Sequence, residues 1–225
     1  MSDATYQPTE RRPLESRDLK VIQRASAWLV AREVSPNSIS LASIGFAALA
    51  SLCSVGTAWV DGLLARLLFI LAAVFVQARL LANLLDGMVA VDSGKASPLG
   101  ELYNEVPDRI ADPLILIGAG FAAGGSPALG YLAALLSVFV AYVRVLGSAV
   151  GARELFIGPM AKPQRMATVT AACVYSACVP AAWPGGFASE AFGAMSFALG
   201  LIVVGAALTA VRRLHRIAAQ LRGRS

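Results

Sequence analysis

The sequence predicts an all-α integral membrane bundle: six transmembrane helices preceded by an N-terminal amphipathic helix lying in the interface. Three observations carry this expectation. Hydrophobic residues make up 57% of the chain and charged residues 15%, with a mean hydropathy of +0.66, whereas about 25% charged is usual for a soluble domain. Six apolar runs approach the roughly 20 residues that a helix needs to cross the hydrocarbon core. The basic residues fall in segments that a six-span path leaves on one side of the membrane.

The elements follow in chain order. Residues 1–38 are polar and hold no apolar stretch of the kind that marks a secretory leader. Within them, RDLKVIQRASAWLVAR at 17–32 sets Leu19, Val21, Ile22, Ala25, Trp28 and Leu29 at helical spacing against Arg17, Lys20, Arg24 and Arg32. That pattern predicts a helix with its apolar side in the membrane surface or docked on the bundle. SPNS at 35–38 breaks the chain and caps the first span. The predicted spans are 39–60, 63–82, 99–121, 129–150, 166–183 and 187–211, separated by short turns such as VDG at 60–62, GGSP at 124–127 and WPGG at 183–186. The third is the weakest by hydropathy, because it holds Glu101, Glu105, Asp108 and Asp112. The expected organisation is a cytoplasmic extension at 1–38, one transmembrane domain at 39–211 and a basic cytoplasmic tail at 212–225.

Charge fixes the expected orientation. Arg11, Arg12, Arg17, Lys20, Arg24 and Arg32 precede the first span, and Arg212, Arg213, Arg216, Arg222 and Arg224 follow the last. Lys95 and Arg109 lie around the acidic stretch, and Arg153, Lys162 and Arg165 in the loop after span four. Arg66, Arg79 and Arg144 lie within spans, so the opposite loops hold no basic residue. The positive-inside rule then makes this a multi-pass protein with both termini and the acidic stretch cytoplasmic. The net charge of +5 reads as topology and attraction to anionic membrane lipid, not as nucleic-acid binding. Cys53, Cys173 and Cys178 sit within spans as small packing residues, with no CxxC, and His215 is the single histidine.

The stretch NLLDGMVAVDSGKASPLGELYNEVPDRIAD, residues 83–112, gathers six of the chain's fourteen acidic residues. Ionisable groups at membrane depth are costly and mark functional sites by default. Asn83, Asp86 and Ala90 recur at helical spacing, and so do Asn104, Asp108 and Asp112. Glu101 and Glu105 fall in the same arc of the second helix. Two helices thus turn oxygen-bearing side chains to one side, a donor set suited to a hard divalent ion such as Mg2+, Mn2+ or Ca2+. Gly87, Ala90 and Gly100 let a flat or phosphate-bearing ligand approach the backbone. The physical reading is a metal-bridged site for a phosphate ester. Two other readings stand beside it: simple pairing of the acids with Arg79, Lys95 and Arg109, or the lining of an ion pathway.

The spacing resembles the signature of the CDP-alcohol phosphotransferase family, D-x2-D-G-x2-A-R-x8-G-x3-D-x3-D. Asp86, Gly87, Ala90, Gly100 and Asp108 match it at fixed spacing over residues 83–108. The amphipathic helix, the break before span one and the six-span layout match as well. Asn83 and Asn104 stand where the signature has its first and third Asp, and Val91 where it has Arg. Asn keeps an oxygen ligand but loses a charge. Glu105 and Asp112 are the expected compensation, in a divergent branch that binds one or two ions.

The resemblance implies transfer of a substituted phosphate (phosphatidyl) group from a CDP-alcohol, CDP-diacylglycerol first among them, to a hydroxyl acceptor, with release of CMP. This is chemistry of phospholipid biosynthesis. It implies Mg2+ or Mn2+ held by Asn83, Asp86 and Asn104, with Glu105 and Asp112 in support and Asp108 as ligand or general base. Gly87, Ala90 and Gly100 would border the nucleotide, with Lys95 replacing the missing Arg. Arg144, Arg153, Lys162 and Arg165 would hold a phosphate on the acceptor, although Arg144 could instead pair with Asp108 or Asp112, and the loop cations could reflect topology alone. Members of the family are commonly homodimers. Two alternatives remain at this level: a non-catalytic CDP-lipid-binding or transport protein on the same scaffold, and a transferase joining a soluble CDP-alcohol to a lipid acceptor.

Overall fold

The computed structural model describes residues 19–94, 98–152, 157–179 and 192–223. These form seven α-helices and no strand: α1 Lys20–Ala31, α2 Pro36–Gly56, α3 Gly62–Asp92, α4 Pro98–Gly120, α5 Pro127–Ala149, α6 Lys162–Cys178 and α7 Ala194–Arg222. Proline opens or nearly opens α2, α4, α5 and α6, where its missing N–H costs nothing and its fixed φ suits the first turn. Ser126 caps α5 by accepting from the Leu129 N–H. Gly94, at φ 66° with its N–H on the Val91 carbonyl, closes α3 in the left-handed conformation that favours glycine.

Two compact units emerge, residues 1–46 with 78–111, and residues 47–77 with 112–225. The core of the first is Ile39, Ala82, Leu85 and Val89, against which Ile22, Ala25, Leu29, Val30, Val34 and Phe46 pack. The apolar side of α1 therefore docks on α2 and α3, while Leu19, Val21 and Trp28 stay exposed and Arg32 stacks over Trp28. In the second unit small residues let helices close up. A Cβ on Gly118 of α4 would stand 2.6 Å from the Ser51 Cα of α2, and one on Gly120 would stand 2.9 Å from the Gly130 Cα of α5.

Helices occupy all six predicted positions, but four of them, α2, α3, α5 and α7, are long and apolar enough to cross a membrane. That makes a multi-pass integral membrane protein. The other two fall short for physical reasons. Glu101, Glu105, Asp108, Arg109 and Asp112 interrupt the apolar character of α4, and α6 is 17 residues long as described, its predicted continuation to 183 lying outside the described residues. Two boundaries also differ. Hydropathy ends the second span at 82, whereas α3 runs on to Asp92, because helix continuity depends on backbone bonds and not on side-chain polarity. The division at 211 falls inside α7, which continues to Arg222. Arg213, assigned to the basic tail, is 4% exposed and donates to the carbonyls of Ile157 and Val140.

Candidate functional site

The first unit contains the whole signature, carried by the last turns of α3 and the first of α4. Arg79, Asn83, Asp86 and Ala90 follow one another at spacings of four, three and four residues along α3, so they share one helical face. Arg79 is completely buried, and its Nη2 donates to Asp108 Oδ1 of α4 at 2.7 Å. Asp86 is 2% exposed, and Ser40 of α2 donates to its Oδ2 at 2.6 Å. A buried carboxylate is tolerable only with such partners, since an unpaired charge in an apolar interior costs several kcal/mol. Asp92 takes a 2.6 Å bond from Ser26 at the centre of α1, which ties the N-terminal helix to the end of α3.

Asn83, Gly87 and Ala90 are half-buried on the same segment. A Cβ added to Gly87 would meet no atom within 4 Å, so that face borders open space and Gly87 is not required by packing. Gly100, Glu101 and Asn104 lie on the first turns of α4, and Val91 is exposed. Lys95 lies outside the described residues.

Glu105 and Asp112 each meet an arginine. Arg109 bonds Glu105 one turn away, a half-exposed pair on α4. Asp112, in the second unit, bonds Arg165 of α6 at 2.9 Å, with both side chains nearly inaccessible. A carboxylate matched by a guanidinium returns no net charge, so neither supplies the compensation expected from the sequence. Arg165, expected at an acceptor phosphate, is instead committed to Asp112 and to the Met160 carbonyl. That carbonyl belongs to a pinned loop, since the Met160 N–H donates to Thr209 and Arg213 holds Ile157. Arg144 on α5 and Lys162 at the start of α6 are half-buried, and Arg153 lies outside the described residues. An apolar cavity of about 550 Å³ between α6 and α7, lined by Tyr175, Phe192, Phe197 and Leu201 among others, includes none of these side chains.

Sequence reasoning named Arg79 only as a pairing partner for the acids, and it pairs with Asp108; its place four residues before Asn83 on the same face was the further signal. Ser40 was missed, and carried no signal beyond its occurrence just after the capping SPNS.

The donor set can be tested against a divalent ion. Its oxygens are hard and all from carboxylates or carboxamides, which suits Mg2+ or Mn2+. Among the described residues no three of His, Cys, Asp or Glu come together, and the two aspartates of the signature share the site with one arginine. The set fits a divalent ion by the chemistry of its oxygens.

No protein-family model matches the chain. It is 25% identical over 138 residues to the inner membrane protein YnbA of Escherichia coli, a match covering 61% of this chain and 66%, just under two thirds, of that protein. Among solved structures it resembles the phosphatidylinositol phosphate synthase of Mycobacterium tuberculosis. The form with CDP-DAG bound aligns with a TM-score of 0.71 at 18% identity, over 88% of this chain and 94% of that one. The complex with manganese and citrate gives 0.70 at 19% identity, over 87% and 88%, and the apo form 0.67 at 19%, over 86% and 94%. The chain has the fold of these synthases.

Proposed function

We propose that the chain is a divergent CDP-alcohol phosphotransferase, moving a phosphatidyl group from CDP-diacylglycerol to a hydroxyl acceptor with release of CMP. The observation that carries this reading is a coincidence of fold and signature. A fold shared over most of its length with an enzyme solved with CDP-DAG bound has Asp86, Gly87, Ala90, Gly100 and Asp108 on adjoining helices of one unit. The manganese in a second form of that enzyme supports a divalent ion here, with Asn83, Asp86 and Asn104 as its holders. When bound, the ion neutralises charge on the pyrophosphate and on the departing CMP.

In this reading the acceptor oxygen forms a bond to the donor phosphorus as the bond from that phosphorus to the CMP oxygen breaks. The acceptor proton passes to Asp108, whose orientation is set by Arg79. Gly87 and Ala90 let the nucleotide lie against α3, with Gly100 and Lys95 beside it. Arg144, Arg153 and Lys162 remain the cations for an acceptor phosphate. Arg165 serves them indirectly, by fixing the loop and α6. In this reading α4 and α6 cross the bilayer with the four long apolar helices, both termini and the signature are cytoplasmic, and α1 lies in the interface.

The test is CMP release by the purified protein from CDP-diacylglycerol, with Mg2+ or Mn2+ and a panel of alcohol and phospho-alcohol acceptors. Metal-dependent release that rises with one acceptor is expected, and it should disappear in Asp86→Ala and Asp108→Ala. Wild-type turnover in either variant would sink the mechanism. A second reading is favoured by one observation, the neutralisation of Asp108 by Arg79: a non-catalytic protein that binds the CDP-lipid. Binding of CDP-diacylglycerol without CMP release under any acceptor would select it.

A further inference from the structure

We infer that the outer face of α1 docks on anionic phospholipid headgroups, and that the Ser26–Asp92 bond passes this contact to the signature end of α3. The face is read from exposure. Lys20, Val21, Arg24, Trp28 and Arg32 are all exposed, and at about 100° per residue they fall within an arc of roughly 120°. Val21 is 73% exposed and Trp28 55%, and the Arg32 guanidinium lies 4.4 Å from the centre of the Trp28 ring. The opposite side is already used, since Ile22, Ala25, Leu29 and Val30 pack on the core of the first unit. A helix turned outward to bulk water gains nothing from an indole and a valine among its cations. The headgroup layer of a bilayer suits that mixture, with the ring between water and acyl chain and Lys and Arg reaching lipid phosphate. Charge complementarity then selects anionic lipid, because each Lys or Arg near an anionic surface strengthens binding roughly fivefold. Glu33, the acidic residue nearest in sequence on this side, follows only after the helix has ended.

The inner side connects this face to the signature. Ser26 is wholly buried and donates to Asp92 Oδ2 at 2.6 Å. Asp92 ends α3, six residues after Asp86 on the same helix. Leu85 and Val89, close to Asp86 along α3, belong to the core that α1 packs against. The turn that follows α1 is tightly bonded. Glu33, at φ 57°, donates its N–H to the Val30 carbonyl, and the Val34 N–H donates to that of Leu29. A pull on the outer face of α1 is therefore felt at the end of α3. The inference rests on the transferase reading for what the signature does, but lipid contact and its transmission are both tested without turnover.

The full chain is reconstituted in nanodiscs of phosphatidylcholine, alone or mixed with phosphatidylglycerol. With Trp59 and Trp183 replaced by Phe, Trp28 is the single indole. Brominated phosphatidylglycerol should quench it at least about twofold more than brominated phosphatidylcholine at the same mole fraction. That excess should vanish in about 1 M salt, where the Debye length is about 3 Å, and in the double variant Lys20→Gln, Arg24→Gln. Amide hydrogen exchange at residues 87–92 should be several-fold slower in discs containing phosphatidylglycerol. Ser26→Ala and Asp92→Ala should each erase that difference while leaving the quenching excess in place. Asp92 is exposed, so its variant keeps the test decisive should Ser26→Ala not fold. Equal quenching by the two lipids, or none by either, overturns the docking. An exchange difference that is absent, or that survives Asp92→Ala, overturns the transmission. Failure of CMP release leaves both readouts untouched, so the two proposals fail separately.

Discussion

Ser40 shows how much of the site lies outside the signature. Its hydroxyl donates to Asp86 Oδ2 at 2.6 Å from 46 residues away, with both side chains buried. A hydrogen bond to a charged group contributes about 1.5–3 kcal/mol, so Ser40→Ala should slow CMP release roughly 10- to 100-fold through misplacement of Asp86. The loss should fall on kcat more than on KM, and Ser40→Thr should restore much of it; a purely structural serine would lower the melting temperature without that split. Gly87 calls for the opposite pattern. Alanine there meets no atom within 4 Å and is the better helix former by about 1 kcal/mol. Gly87→Ala should therefore raise thermal stability slightly while weakening CDP-diacylglycerol binding, checked by melting and by equilibrium binding on the same preparation. If binding is unchanged, the nucleotide does not lie against this face. Asp86, Gly87 and Asp108 were legible because the signature is local and fixed in spacing. For Arg79 pairing with the acids was legible but not which acid, and Ser40 was not legible at all, since their partners are chosen by helix packing 29 and 46 residues away.

At the scale of helices, two kinds of contact position the elements, and they should respond differently to mutation. Gly118 lets α4 approach α2, and its Cβ would stand 2.3 Å from Ser51 Oγ and 2.6 Å from Ser51 Cα. The second distance is to backbone, so no rotamer change relieves it. Gly118→Ala should cost about 1–3 kcal/mol as overpacking, read as a lower unfolding midpoint, and Ser51→Gly should recover only the side-chain part. Ion pairs form the other kind. Asp112 and Arg165 are 2% and 3% exposed at the side chain, and deleting one partner of such a pair costs about 3–5 kcal/mol. Glu105 and Arg109, at 42% and 30%, form a pair along one helix of the sort that contributes about 0.3–0.5 kcal/mol. Asp112→Ala should thus lower the midpoint sharply and Glu105→Ala hardly at all; similar shifts would mean that Asp112 is not structural. From the sequence the two acids looked alike, both on the oxygen-rich arc of α4. Only the packing of α6, which brings Arg165 to one of them, tells them apart. The same limit explains α3, whose apolar part ends at 82 while its hydrogen bonds continue to Asp92.

Over the whole molecule, composition, length and charge together bear on how often the chain crosses the bilayer. Composition alone qualifies α2, α3, α5 and α7, and either four or six crossings return both termini to the same side. The two paths part in the middle. With six crossings the turn at 121–126 faces away from the termini and the segment at 150–161 faces with them; with four, in which α4 and α6 do not cross, these assignments reverse. Length permits α4 to cross, since 23 residues at 1.5 Å each reach about 34 Å against a core of about 30 Å. Glu101, Glu105 and Asp108 lie in its first three turns, toward the membrane surface, and Asp112, a turn deeper, is paired with Arg165. Charge favours six more strongly, because four crossings would export Arg153 and bring Lys162 to the outer surface, against the positive-inside rule. In a variant with Cys53, Cys173 and Cys178 replaced, Ser126→Cys should react with an impermeant maleimide added to intact cells, and Ser148→Cys only after the membrane is opened. The reverse labelling would keep the acidic first turns of α4 cytoplasmic but place its far end there too, laying the helix along the surface and removing the bilayer from one side of the proposed site.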